Sequence, residues 1–156
     1  MLPRVLVLAS IAWLTAILVA PLAIASDRPA LSAGAVGVYA AGARICHQRP
    51  GRCFWIHGRP MPVCARCSGL YAGAAIAAPL ALVWAARLSG RRARIVMAAA
   101  MLPTLVTWTL EMAGRAHPSN TARFVAALPL GLVAAWLVLS TVSHGAPPHH
   151  EDHEGH

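Results

Sequence analysis

All four cysteines of the chain lie in one short polar segment, Cys46–Cys67. Cys64 and Cys67 are three positions apart, so one tight turn can bring both sulfur atoms onto the same small cation. Cys46 and His47 precede them, and three thiolates with one imidazole form a tetrahedral ligand set that suits Zn²⁺. We therefore predict a zinc site at Cys46, His47, Cys64 and Cys67. Because neighbouring residues are awkward ligands for one ion, the direct ligand is expected to be one of Cys46 and His47.

The same cysteines also suit redox chemistry. Cys64 and Cys67 directly precede an apolar helix, whose N-terminal amides and dipole favour a thiolate, and Arg66 adds positive charge between them. Cys46 and Cys53 would then form a second pair that passes a disulfide to the first. A membrane thiol-disulfide oxidoreductase using Cys64 and Cys67 therefore stands as an alternative. Reduced cysteines that pack as small apolar side chains are the structural alternative.

The composition places this segment in a membrane protein. Of 156 residues, 58% are hydrophobic and 12% are charged, whereas soluble domains carry about 25% charged residues. So short a chain cannot hide its apolar residues in a large core, and the missing polar surface indicates lipid. All 13 basic residues are Arg, and the net charge is +8. Because these Arg residues lie between apolar runs, we expect contact with membrane lipids and no nucleic-acid partner.

Uncharged apolar runs long enough to cross a membrane define the predicted fold. The first, Val5–Ala25, ends in small residues like those of a signal-peptide cleavage site, but its length favours a retained span. Further helices are predicted at about 68–86, 95–113 and 124–143. Ala30–Ile45 is shorter, and we expect an interfacial or re-entrant helix there. The predicted fold class is an all-α integral membrane protein with about four transmembrane helices and this additional short helix.

The chain is predicted to divide into an N-terminal span (1–29), a Cys-His membrane domain (30–143) and a disordered His-rich tail (144–156). His-rich tracts can collect metal ions, so a metal-transport accessory protein is a third functional hypothesis. Arg residues flank the helix at 68–86 on both sides, so the positive-inside rule does not decide the orientation.

The helix after the cysteines begins with small residues at helical spacing. Gly69 and Gly73 are four residues apart, and Ala77 and Ala81 continue the ridge. In lipid such a ridge lets two helices approach closely, because small side chains remove the steric barrier. We expect a metal in the preceding loop to fix that loop against this face. An Ala-rich composition without special packing is the alternative.

Glu111 is the only acidic residue of the predicted Cys-His membrane domain. Ionisable groups within membrane spans are costly and tend to be functional, and Glu111 would lie close to the cysteines if its helix ends on that side. An ordinary helical pair with Arg115, four residues on, is the structural alternative. Asn120 and Arg123 are expected to fasten the following helix to lipid headgroups.

The cysteine motifs resemble the signature of a bacterial membrane family catalogued as domain of unknown function 2085. The similar residues are Ile45-Cys46-His47-Gln48, Arg52 and Pro62-Val63-Cys64-Ala65-Arg66-Cys67-Ser68-Gly69-Leu70-Tyr71-Ala72-Gly73. The resemblance covers about Tyr39–Ala134. It adds as functional candidates Gln48, Arg52, Arg66, Tyr71, Glu111, Asn120 and Arg123.

The resemblance bears on the choice between metal and redox chemistry. The family usually has Ser where this chain has Cys53, so the shared set is Cys46, His47, Cys64 and Cys67. Such a set suits a structural or regulatory zinc site better than a disulfide relay, which requires Cys53. The resemblance implies no activity, and no catalytic residue is assigned. It implies a multi-pass protein of the bacterial cytoplasmic (inner) membrane, with its protein partners and oligomeric state left open.

Overall fold

The protein is built from five helices in the residues described by a computed structural model, which are 1–84 and 88–144. They are α1 (Leu2–Ala23), α2 (Pro29–Ile45), α3 (Ala65–Val83), α4 (Gly90–Met112) and α5 (Asn120–His144). A 3-10 turn at Pro50–Arg52 and an antiparallel hairpin of β1 (Trp55–Ile56) and β2 (Arg59–Pro60) separate α2 from α3. The predicted all-α class is confirmed.

Four of these helices are long and apolar enough to cross a membrane, namely α1, α3, α4 and residues Asn120–Ser143 of α5. The remaining helix, α2, is the short one expected from the sequence. Helices α3, α4 and α5 begin earlier than predicted, because their first turns take in polar residues such as Arg66, Arg91 and Asn120. The predicted end of α3 at residue 86 and the tail beyond 144 lie outside the described residues.

Helices α1 and α3 run in opposite directions. Val7 near the start of α1 packs with Ala78 and Ala81 near the end of α3. Ile17 near the end of α1 packs with Cys46 and Val63, which flank the loop before α3. The later part of α1, the end of α2 and the start of α3 therefore meet at one end of the bundle, which we call the cysteine end.

The connection between α4 and α5 lies at the same cysteine end. Glu111 in the last turn of α4 forms ion pairs with Arg66 in the first turn of α3 and with Arg123 in the first turn of α5. The fold thus gathers the Cys-rich loop and the polar termini of three spans at one membrane boundary.

Glycines set the close approach of α3 and α5. A Cβ atom added at Gly69 would meet the backbone oxygen of Phe124, and one at Gly73 would lie 2.7 Å from the backbone nitrogen of Leu132. Gly131 of α5 faces α3 in return, against the backbone of Leu70. Side chains would hold the two backbones apart, so the small-residue ridge of α3 is the surface on which α5 packs.

Candidate metal centre and arginine cluster

Three of the four thiols converge at the cysteine end. Cys46 follows α2, Cys64 is the N-cap residue of α3 and Cys67 lies in its first turn. Their sulfur atoms all lie within 4.8 Å of one another. The backbone N–H of Cys64 donates a hydrogen bond to the sulfur of Cys46 over 3.1 Å, and all four cysteines of the described chain are free thiols. We call Cys46, Cys64 and Cys67 the thiol set.

Gln48 connects the segment that carries Cys46 with the segment that carries Cys64 and Cys67. Its side-chain N–H₂ donates to the carbonyl of Tyr39 in α2 (2.8 Å) and to that of Pro62 in the loop before α3 (2.6 Å). Its φ of 44° is in the left-handed region, which is unfavourable for a residue with a side chain and persists only where surrounding contacts compensate. Gly42 makes room for this arrangement, because a Cβ there would meet the oxygen of Pro62. Gln48 is thus a positioning residue.

His47 and Cys53 lie outside the thiol set. The close group of ligand atoms in the described part of the chain contains no imidazole; His47 is exposed and lines the cavity beside the thiols. Cys53 is fully buried, its thiol donates to the carbonyl of Arg49 over 3.2 Å, and burial raises its pKa to about 11. A thiol so placed has a structural role.

The surroundings of Cys64 favour the thiolate form of its side chain. A hydrogen bond from the thiol of Cys67 lowers the pKa of Cys64, which outweighs the opposing effect of burial. The backbone N–H groups of Cys67 and Arg66 and the thiol of Cys46 act in the same direction. The thiolate form of cysteine, and not the neutral thiol, acts as a nucleophile and as a metal ligand. The start of α3 therefore favours the reactive form of Cys64.

Three guanidinium groups surround the carboxylate of Glu111. Arg52 lies 3.0 Å from Oε1, Arg123 lies 2.8 Å from the same oxygen, and Arg66 lies 2.8 Å from Oε2. The Glu111 side chain is only 6% exposed. We call Glu111, Arg52, Arg66 and Arg123 the arginine cluster. It joins the Cys-rich loop, α3, α4 and α5 through a single carboxylate.

The expected partners of these residues differ from the observed ones. The alternative pair of Glu111 with Arg115 does not form, because α4 ends at Met112 and Arg115 no longer lies on a helical turn. Asn120 donates to the carbonyl of Cys53 and accepts from Arg123, both over 2.8 Å. Asn120 and Arg123 therefore face inward, towards buried acceptors that need donors, and not the headgroups.

A cavity of about 610 Å³ connects the thiol set with the arginine cluster. Its wall includes the three thiols, His47 and all four members of the arginine cluster. Tyr71, another candidate, is instead part of the apolar packing around Ile17 and meets the ring of Trp13 edge-on at 5.9 Å. The site is therefore one cavity whose wall includes both the sulfur ligands and the positively charged arginines.

The arginine cluster as a unit was missed from the sequence, although each of its members was singled out. A signal was present: the membrane domain has one acid and many arginines, and a buried carboxylate needs cationic partners. Which arginines reach Glu111 depends on how three helices meet, and spacing along the chain carries no such information.

Residues 46–137 match the family model described as "Predicted membrane protein (DUF2085)". The chain belongs to this family. An uncharacterised protein of Methanocaldococcus jannaschii is 30% identical over 104 residues, which cover 65% of this chain and 66% of that relative. An uncharacterised protein of Methanothermobacter thermautotrophicus is 32% identical over 94 residues, or 60% of this chain and 83% of the relative.

The predicted family is thus confirmed, but its description as bacterial is too narrow, since both of these relatives are archaeal. No solved structure matches the chain. The matched region runs from the first member of the thiol set through most of α5, so both the thiol set and the arginine cluster lie within it.

Proposed function

We propose that the protein binds one thiophilic divalent cation, zinc by preference, through the thiolates of Cys46, Cys64 and Cys67. The convergence of these three sulfur atoms within 4.8 Å carries the proposal. In tetrahedral zinc thiolates the Zn–S bond is about 2.3 Å, so sulfur atoms on one ion lie about 3.8 Å apart. The thiol set needs to contract by only about 1 Å to reach that geometry.

The three thiols line the cavity, so we propose that a fourth ligand would reach the metal from the cavity side. Structural zinc sites close with four protein ligands, whereas sites that exchange a ligand keep one position open. His47 lines this open side, and we propose that it or a water molecule completes the tetrahedron. The arrangement supports a regulatory role: the metal would tie the end of α2 to the start of α3, and acid or oxidation would release it. We place the protein in the cytoplasmic membrane, where lipid surrounds its four spans.

Metal analysis of the purified full-length protein under reducing conditions tests the proposal. We expect about one zinc per chain, and loss of most of it in Cys46→Ser, Cys64→Ser and Cys67→Ser, because two thiolates and a hydroxyl hold zinc far less well. Cys53→Ser is the matched control: it makes the same chemical change at a cysteine outside the thiol set, and a hydroxyl can still donate to the carbonyl of Arg49. It should retain its zinc.

Two results would refute the metal site. One is the absence of stoichiometric metal in a reduced wild-type sample. The other is equal loss in Cys53→Ser and Cys64→Ser, which would mean that any cysteine change disturbs the fold. His47→Ala reports separately on the fourth ligand, since an open site with water in that position should keep its metal.

A thiol-disulfide oxidoreductase is the second candidate. It is supported by the position of Cys64 and Cys67, which begin α3, contact each other and face an open cavity. In this reaction the two thiols would lose two electrons and two protons to a quinone or a partner disulfide and form one disulfide. Alkylation trapping in intact cells tests it: a fraction of Cys64–Cys67 disulfide is expected, and four fully alkylated thiols at all growth stages would exclude it.

The metal-transport hypothesis receives less support. It relied on Glu111 as a membrane-embedded ligand and on the His-rich tail, which lies outside the described residues. Both oxygens of Glu111 are held by arginines, so its carboxylate is committed to ion pairing and is not available to a passing cation.

A further inference from the structure

We propose that the cavity also binds a phosphate group, which Arg52, Arg66 and Arg123 hold next to the thiol set. This site does not depend on the proposed metal. The phosphate belongs either to a free small anion or to the headgroup of an anionic lipid, since the cysteine end lies where three spans meet the membrane boundary.

The first support is an imbalance of charge. Three guanidinium groups share one carboxylate, and an arginine does not lose its proton in a protein. The side chains of Arg66 and Arg123 are only 14% and 10% exposed, and charges with so little access to water are costly unless paired. Arg49 also lines the cavity and adds to its positive charge.

The thiol set does not remove this imbalance. A divalent ion bound by three thiolates carries one net negative charge, and the arginine cluster carries two net positive charges. His47 on the same wall adds no negative charge in either of its protonation states. Among the described residues that line it, the cavity therefore keeps a net positive charge whether or not the metal is bound.

The second support is a pair of unused donors. The Nε atoms of Arg66 and Arg123 are buried and have no hydrogen-bond partner among the described residues. The remaining nitrogens of Arg123 are already used, Nη1 by Asn120 and Nη2 by Glu111. Buried donors without partners are rare in folded proteins, and each calls for an unseen acceptor.

The chemistry of the site favours phosphate. Planar guanidinium forks match the paired oxygens of phosphate, and such charge-assisted hydrogen bonds are strong. A volume of about 610 Å³ lies within the range of small-molecule sites, about 300–1,000 Å³. This volume accommodates a free phosphate or a phosphate-containing lipid headgroup.

The test uses full-length, delipidated protein in a non-ionic detergent, with and without zinc. One arm titrates inorganic phosphate by calorimetry, and the other measures the retention of phosphatidylglycerol against phosphatidylcholine by native mass spectrometry. Arg52→Gln should weaken binding by about tenfold or more, the effect of losing one charge-assisted hydrogen bond. Arg52 is chosen because it is the most exposed arginine of the cluster, and Glu111 keeps two partners without it.

Arg91→Gln is the matched control. It removes the same charge from an exposed position at the other end of α4 and should bind like the wild type. Calorimetric phosphate binding assigns a free anion, and selective retention of phosphatidylglycerol alone assigns a lipid. The proposal is overturned if wild type binds neither probe, or if both Arg→Gln variants lose binding equally. Phosphate binding by zinc-free protein would stand even if no zinc site exists.

Discussion

Glu111→Gln is expected to lower the free energy of unfolding by about 3–5 kcal/mol, because it leaves three arginines without their counter-ion. Two of these, Arg66 and Arg123, are almost buried, and neither guanidinium can neutralise itself by releasing a proton. The neutral amide keeps the size of the side chain, so the loss reports charge and hydrogen bonding, not a cavity. Reversible denaturation in detergent micelles, followed by circular dichroism, measures it.

Asp27→Asn is the control for this experiment. It neutralises an exposed acid in the turn between α1 and α2, and surface substitutions of this kind change stability by about 0.5 kcal/mol or less. If the two variants are equally stable, Glu111 is not the counter-ion that holds the cysteine end together.

A double substitution sharpens the interpretation. Removing Arg66 from the Glu111→Gln protein takes away one of the unpaired charges, so Glu111→Gln/Arg66→Gln should be more stable than the sum of the two single changes predicts. Additive effects would mean that the two side chains are not coupled. The sign of the coupling thus separates an electrostatic cluster from two side chains that merely fill space.

The parts of the fold that were predictable are those encoded locally. Each span is a run of apolar residues, and Cys64 and Cys67 meet because a helical turn separates them. The starts of the spans were placed too late, since apolar runs exclude the polar first turn of a helix. That first turn carries Arg66 in α3 and Arg123 in α5, which are two members of the arginine cluster.

The parts that were not predictable depend on contacts between distant segments. Cys46 and His47 are equivalent as metal ligands in the sequence, but the hydrogen bonds of Gln48 fix the backbone so that Cys46 turns towards Cys64 and His47 remains exposed. Likewise, Gly131 is a lone glycine in an apolar helix. Only its position against Leu70 reveals that it must lack a side chain.

Gly131→Ala is expected to destabilise the protein by about 1–3 kcal/mol or more, the cost of adding atoms to a filled interface. The new Cβ would lie 2.8 Å from the carbonyl carbon of Leu70, and this obstacle is backbone, which no side-chain rotation can relieve. Gly37→Ala is the control in α2, where an added Cβ meets nothing within 4 Å. Gly37→Ala should stabilise the protein by up to about 1 kcal/mol, because alanine has a higher helix propensity than glycine. Thermal denaturation of both variants shows whether their stability changes have opposite signs.

Gly131→Ala also tests whether the proposed zinc and phosphate sites are independent. Helix α5 contributes Arg123 to the arginine cluster but no member of the thiol set. Pushing α5 away from α3 should therefore weaken phosphate binding while the zinc content stays at the wild-type level, in protein held well below its melting temperature. Loss of zinc together with phosphate in Gly131→Ala would contradict the independence of the two sites.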